Sequence, residues 1–285
     1  MTETKPVRAR ARLERRRRAP GLSIAQLHRD HLPGLLDPFL AFDHFEMAEP
    51  FFPPHPHAGF SAVTYMFPQS AGGFINRDSA GDRRAIRPGD LHWTAAGRGV
   101  VHEEVPAARG VACQGLQIFV NLHSSQKWSE PAALHLHEAD VPRAATPGGE
   151  VRVVAGRHGG LRSPLRPPTD VTLLDVVLGA GESFEHEVPA GETRFLYVLD
   201  GELRAGPDGA PALLSGGDAV GFGDEGALVR AAAGERPAHF VLAGGRPLRE
   251  PVVFYGPFCM TSRDEIERAV RDYEAGRMGR LEPSF

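Results

Sequence analysis

The sequence predicts an all-β protein: two barrel-like β domains and one short C-terminal helix. Three observations carry this reading. Gly (33) and Pro (25) make up about a fifth of the 285 residues, too many for a helical bundle and usual for short strands joined by tight turns. Short β-branched and aromatic runs recur between turn signals along most of the chain. The same rhythm begins again after residues 144–150 (AATPGGE), the best candidate linker, so the β unit occurs twice. Apolar residues at 41% and charged residues at 24% suit a chain with a sizeable core, and no run approaches the roughly 18 apolar residues that cross a bilayer as a helix.

The chain opens with a basic arm, residues 1–18, which holds eight basic side chains from Lys5 to Arg18 against Glu3 and Glu14. Removing it leaves 24 basic and 34 acidic residues, a body of charge −10. No apolar secretion-signal run follows, since residues 19–30 read APGLSIAQLHRD. No aromatic residue interleaves the arginines, so a stacking platform for nucleic acid is missing. The arm is therefore expected to be a solvated first strand or a frayed segment lying on an acidic body. Residues 34–53 concentrate Phe39, Phe42, Phe45, Phe51 and Phe52 between prolines and predict a buried, irregular lead-in.

Strands are predicted over Ser61–Phe67, Leu91–Thr94, Val100–Val105 and Gly115–Leu122, with turns at 71–73, 79–82 and 88–90. They place an N-terminal domain over 19–145. Six more runs, Val151–Ala155, Thr172–Leu178, Arg194–Leu199, Glu202–Ala205, Ala219–Phe222 and His239–Ala243, predict a C-terminal domain over 146–285. The chain closes with a helix over about 262–275. Ser262 and Glu265 form a capping box, Ile266, Ala269, Val270 and Tyr273 follow at helical spacing, and Gly276 and Gly279 end it. With two cysteines, Cys113 and Cys259, there is no disulfide framework, and a reducing, cytoplasmic setting is expected.

Thirteen histidines require a geometric selection. His55-Pro56-His57 leads into a strand, and residues two apart on a strand share a face. On Val100–Val105, His102 and Glu104 share a face while Glu103 points away. Taken singly, HPH reads as a polar loop and HEE as an exposed strand edge. Paired on two strands that face each other across a barrel, His55, His57, His102 and Glu104 converge on one point. Three neutral imidazoles and a carboxylate suit a first-row divalent ion, Fe(II) before the others, one per chain, with two of six positions left open. The Gly97-Arg98-Gly99 turn lets the chain reverse just before the second pair. His158, His186 and His239 lack HxH or HxE pairing, so the second barrel is expected to be metal-free.

Several longer stretches, His55–Phe60 (HPHAGF), Pro88–Glu104 (PGDLHWTAAGRGVVHEE), Gly115–Leu122, Gly256–Ile266 (GPFCMTSRDEI) and Leu36–Leu40, together resemble the pirin family of bicupins. The resemblance implies two jelly-roll cupin barrels, with iron in the first and the ligands on His55, His57, His102 and Glu104. It further implies one of two activities. One is metal-dependent dioxygenation of flavonols such as quercetin with O₂. There Glu104 would be ligand and proton acceptor, and Phe42, Phe45 and Phe60 would line an apolar pocket. The other is a non-catalytic, iron-dependent regulator that binds a transcription factor or metabolic enzyme, with the Arg arm as contact. An open pocket favours the first and a plugged site the second. The family often has Arg and Glu where this chain has Ala58 and Ser61, a difference that bears on substrate preference.

Overall fold

The computed structural model describes residues 3–285; Met1 and Thr2 of the predicted arm lie outside them. Each half of the molecule is a seven-stranded antiparallel sheet facing a four-stranded one, the arrangement of a cupin barrel, present twice as the sequence predicts. In the first barrel the central strands of the large sheet are Leu91–Ala95, Phe60–Met66, Cys113–Asn121 and Phe39–Met47, and the small sheet holds His55–His57, Val100–Pro106, Phe74–Asp78 and Arg83–Ile86. The second barrel repeats this order with Asp218–Phe222, Thr193–Asp200, Ala238–Gly245 and Val171–Leu178.

The two large sheets pack back to back. Phe42 meets Phe195 edge-on at 5.3 Å between ring centroids, and Tyr65, Trp93, Leu173 and Val241 belong to the same core. The barrel interiors differ. Leu174, Leu196, Phe240 and their neighbours fill the second with apolar side chains. In the first, the equivalent cluster shrinks to seven buried residues around Phe45, Met66 and Phe74, and polar side chains take the remaining space.

Three expectations change. Residues 39–47 are a regular strand, hydrogen-bonded on both sides, rather than an irregular lead-in. A bulge between Phe119 and Val120 accommodates Leu40, so Phe39 and Phe42 both face the inter-barrel core while Phe45 faces the barrel interior. Burial on both faces removes the period-2 signal by which a strand is read. The proposed linker is a hairpin: Arg143–Thr146 pairs with Gly149–Ala155 inside the second barrel's sheet.

The third change concerns the chain ends, which are exchanged between the barrels. Val7–Arg12 adds an edge strand to the second barrel, pairing with Asp218–Phe222, while Arg16–Ala19 pairs with Leu22–His28 of the first. Conversely, the helix Arg263–Glu274, with its Ser262 cap as predicted, buries Ile266 and Ala269 in a cluster with Ala58 and Val101 of the first barrel and Phe258 of the hairpin that precedes the helix. The first strand and the last helix thus cross the expected boundary at residue 145, and residues 7–12 of the basic arm form a strand, one of its two expected readings, paired with the second barrel. Arg10 and Arg12 lie 2.9 and 3.3 Å from the buried Asp218 carboxylate. Burial pushes that carboxyl up, but the Ser215 amide and the two guanidinium groups outweigh it and hold it below the ordinary range.

Deleting residues 2–18 is accordingly expected to cost roughly 3 kcal/mol, on the order of 10 °C in Tm, because it leaves Asp218 buried without its cations and strips a strand from the edge. Differential scanning calorimetry checks it; a shift below about 2 °C would mean the strand only rests on the surface.

Candidate metal centre

The two ligand-bearing strands are neighbours in the small sheet. Val100–Pro106 runs antiparallel to His55–His57, with His102 opposite His55 and Val100 opposite His57. The turn before it is tight: Gly97 has φ +51°, and a Cβ there would lie 2.2 Å from the Ser129 carbonyl oxygen. Sheet pairing and barrel curvature bring His55, His57 and His102 together, their ring centroids 4.7 to 4.8 Å apart and a nitrogen of each within 4.8 Å of the others.

Their partners orient them as ligands. His55 donates Nδ1–H to the Pro53 carbonyl at 2.9 Å, and His102 donates Nδ1–H to the Asn76 side-chain oxygen at 3.2 Å. Both then keep Nε2 as a free lone pair, the tautomer a metal requires. His57 Nδ1 is buried without any hydrogen-bond partner. Burial lowers the pKa of all three, His57 to about 3, so the imidazoles are neutral. Three neutral imidazoles whose nitrogens converge on one point suit a divalent ion.

Glu104 shares the face of His102, as strand alternation requires, but does not join this group. Its carboxyl oxygens lie 2.7 and 2.8 Å from Thr64 Oγ1, which also lies 3.0 Å from Gln117 Oε1. One hydroxyl proton serves three acceptor oxygens, and burial raises the Glu104 pKa to about 7. Glu103 points the opposite way, into an ion pair with Arg77 at 2.5 Å and a 3.1 Å bond from the Ser284 amide.

The histidines open onto a cavity of about 460 Å³ walled by Phe45, Phe74, Phe119 and Met47, with exposed Arg18, Phe51 and Phe52 at its rim. Of the phenylalanines expected there, Phe45 lines it. Phe42 instead fills the core between the barrels, and Phe60 sits behind His57 at 5.1 Å. Ala58 and Ser61 are fully buried and do not line the cavity, so their difference from the family pattern does not shape its walls. Sequence reasoning missed Asp43, which faces the cavity with Oδ1 unpartnered and its pKa raised by burial; it lies in the strand read as irregular. It also missed Asn76 and Thr64, whose roles depend on cross-strand pairing. In the second barrel, His186 takes a 3.4 Å bond from buried Arg194, His158 stacks on Phe184, and His239 lies 2.6 Å from Asp175.

Two family patterns match the chain: Pirin over residues 23–120 and the Pirin C-terminal cupin domain over 173–279. A pirin-like protein of Solanum lycopersicum is 40% identical over 252 residues, 86% of this chain and 82% of that one. The pirin of Homo sapiens is 36% identical over 245 residues, 86% and 83% of the two chains. The crystal structure of a quercetin 2,3-dioxygenase from Acinetobacter baumannii superposes with a TM-score of 0.85 at 29% identity, covering 97% of this chain and 99% of that one.

Proposed function

Because the chain belongs to the pirin family, we propose that it is an iron-dependent dioxygenase that cleaves flavonols such as quercetin with O₂. His55, His57, His102 and Glu104 would hold one Fe(II). The observation that supports this most is that the three imidazoles open onto an apolar cavity instead of being plugged by side chains. At about 460 Å³ it falls within the ~300–1,000 Å³ of small-molecule sites. The dioxygenase named among the structural neighbours supports the same chemistry.

When bound, the ion would supply Lewis acidity toward the substrate hydroxyl and the redox partner that O₂ requires. The protein supplies the rest. Phe45, Phe74 and Phe119 offer faces and edges against which a flat ring system packs, and they keep water away from the reacting atoms. Glu104, which rests on Thr64, would turn from it to complete the ligand set and, beside the ion, would accept the hydroxyl proton. Two free, buried cysteines suit a reducing, cytoplasmic setting.

Anaerobic loading with Fe(II), followed by quercetin and O₂, tests the proposal. Oxygen consumption stoichiometric with quercetin loss is the expected outcome. An iron-loaded protein that consumes no O₂ with several flavonols overturns it and moves the regulatory reading forward. The two neighbouring glutamates should separate. Glu104→Ala is expected to lower iron content and turnover together. Glu103→Ala should keep the iron and instead lose about 1–2 kcal/mol of stability, because Arg77 is left without its carboxylate. Iron loss from the Glu103 variant alone would assign the fourth ligand to the wrong face.

A further inference from the structure

We propose that Asp90, His135 and His137 form a second divalent-cation site, of the zinc type, at the outer edge of the first barrel. It shares no residue with the iron site. The edge strand Ala132–Leu136 pairs with Leu91–Ala95, so that His135 stands directly opposite His92 and beside Asp90, the residue that leads into that neighbouring strand. His137 follows one residue past the edge strand. The ligand atoms of Asp90, His135 and His137 lie within 4.8 Å of one another.

The spacing is close to that of an occupied site. A tetrahedral ion with bonds of about 2.0–2.1 Å holds its ligand atoms about 3.4 Å apart. Asp90 Oδ2 is 3.4 Å from His135 Nε2 and 3.9 Å from His137 Nδ1. The His135 side chain is only 6% exposed, yet its Nε2 has no aligned hydrogen-bond partner. Its nearest polar neighbour is the Asp90 carboxylate itself, at a separation that an ion between the two would bridge.

The surroundings complete the argument. His135 Nδ1 lies 3.4 Å from His92 Nδ1, and His92 Nε2 lies 3.7 Å from the Asp82 carboxylate. In the tautomer with its proton on Nε2, on the Asp82 side, His92 would offer Nδ1 as an acceptor. His135 would then donate Nδ1–H to His92 and present Nε2 as a lone pair, the orientation a metal-binding histidine takes. Asp90 is fixed in turn by the Arg87 amide at 3.0 Å and the Glu138 amide at 2.8 Å. His137 is about half exposed and provides the entry path, leaving the fourth position to water.

The site is tested in the full-length chain carrying His57→Ala, which weakens the iron site, by equilibrium dialysis against Zn(II) alone with elemental analysis. One zinc per chain is expected, and Co(II) in its place should give the intense visible bands of a tetrahedral centre. Adding His137→Ala, an exposed position, should weaken zinc binding roughly 100-fold with no change in Tm; Asp90→Asn should weaken it as well. Absence of bound zinc in the His57→Ala chain overturns the proposal, as does a zinc equivalent that survives both further substitutions. Because His137 and Asp90 lie outside the iron site, the zinc lost on their substitution is read independently of whether the protein is a dioxygenase.

Discussion

Replacing His57 with Ala is expected to remove iron and quercetin turnover together. His57 is 6% exposed and lies 4.8 Å, centroid to centroid, from both His55 and His102. Loss of one ligand from a four-ligand set costs about 3 kcal/mol of metal affinity, roughly 100-fold or more. Turnover should then fall with occupancy to about 1% or less. The metal-free fold should survive, because burial keeps His57 neutral with a pKa of about 3 and no buried charge loses its partner. The measurement pairs elemental analysis with oxygen uptake and with the melting temperature of metal-free protein. Full iron content in the variant would exclude His57 as a ligand, and turnover without bound metal would exclude the proposed chemistry.

The largest stability effect is expected away from the metal, where the barrels meet. Tyr65 of the first barrel donates its hydroxyl to Asp175 of the second at 2.6 Å, and Arg152 Nε reaches the same hydroxyl at 3.3 Å. His239 Nε2 lies 2.6 Å from the other carboxylate oxygen, and Asp175 itself is 2% exposed. Asp175→Ala thus strands a buried phenol and a largely buried imidazole at once, while Arg152 keeps Glu138 and Glu150 within 3.5 Å. A loss of about 3–5 kcal/mol follows, on the order of 10 °C in Tm, while the iron content stays unchanged. Asp175→Asn, which retains an acceptor for Tyr65, should recover part of it. A drop of less than about 2 °C for the Ala variant would mean that the apolar core alone joins the barrels.

The sequence was most legible where structure is local. The strands at 60–66, 100–106 and 202–205 follow the β-branched runs and turn residues that predict them, and the helix begins at the predicted Ser262 cap. Alternation along one strand likewise separates Glu104 from Glu103, and their surroundings differ as a consequence. Legibility ended where burial is two-sided. Phe39–Met47 shows no alternation because both of its faces are covered, so Asp43 passed unnoticed and Phe42 was placed in the pocket instead of the core. His135-Leu136-His137 was passed over for a related reason: its partner, Asp90, lies 45 residues earlier in the chain and meets it only through strand pairing.

By itself, then, the sequence determined the all-β class, the repetition of the β unit, the capped helix and the shared face within each of HxH and HxE, features written in short stretches of residues. Only the tertiary structure decided which barrel each chain end completes, that Glu104 rests on Thr64, and which aromatic side chains wall the cavity. Those outcomes depend on which strands become neighbours. Arg10 meets Asp218 and Ala58 meets Phe258 across about 200 residues of chain, and the free energy that selects such pairings comes from the burial of whole sheets, which no local pattern of residues encodes.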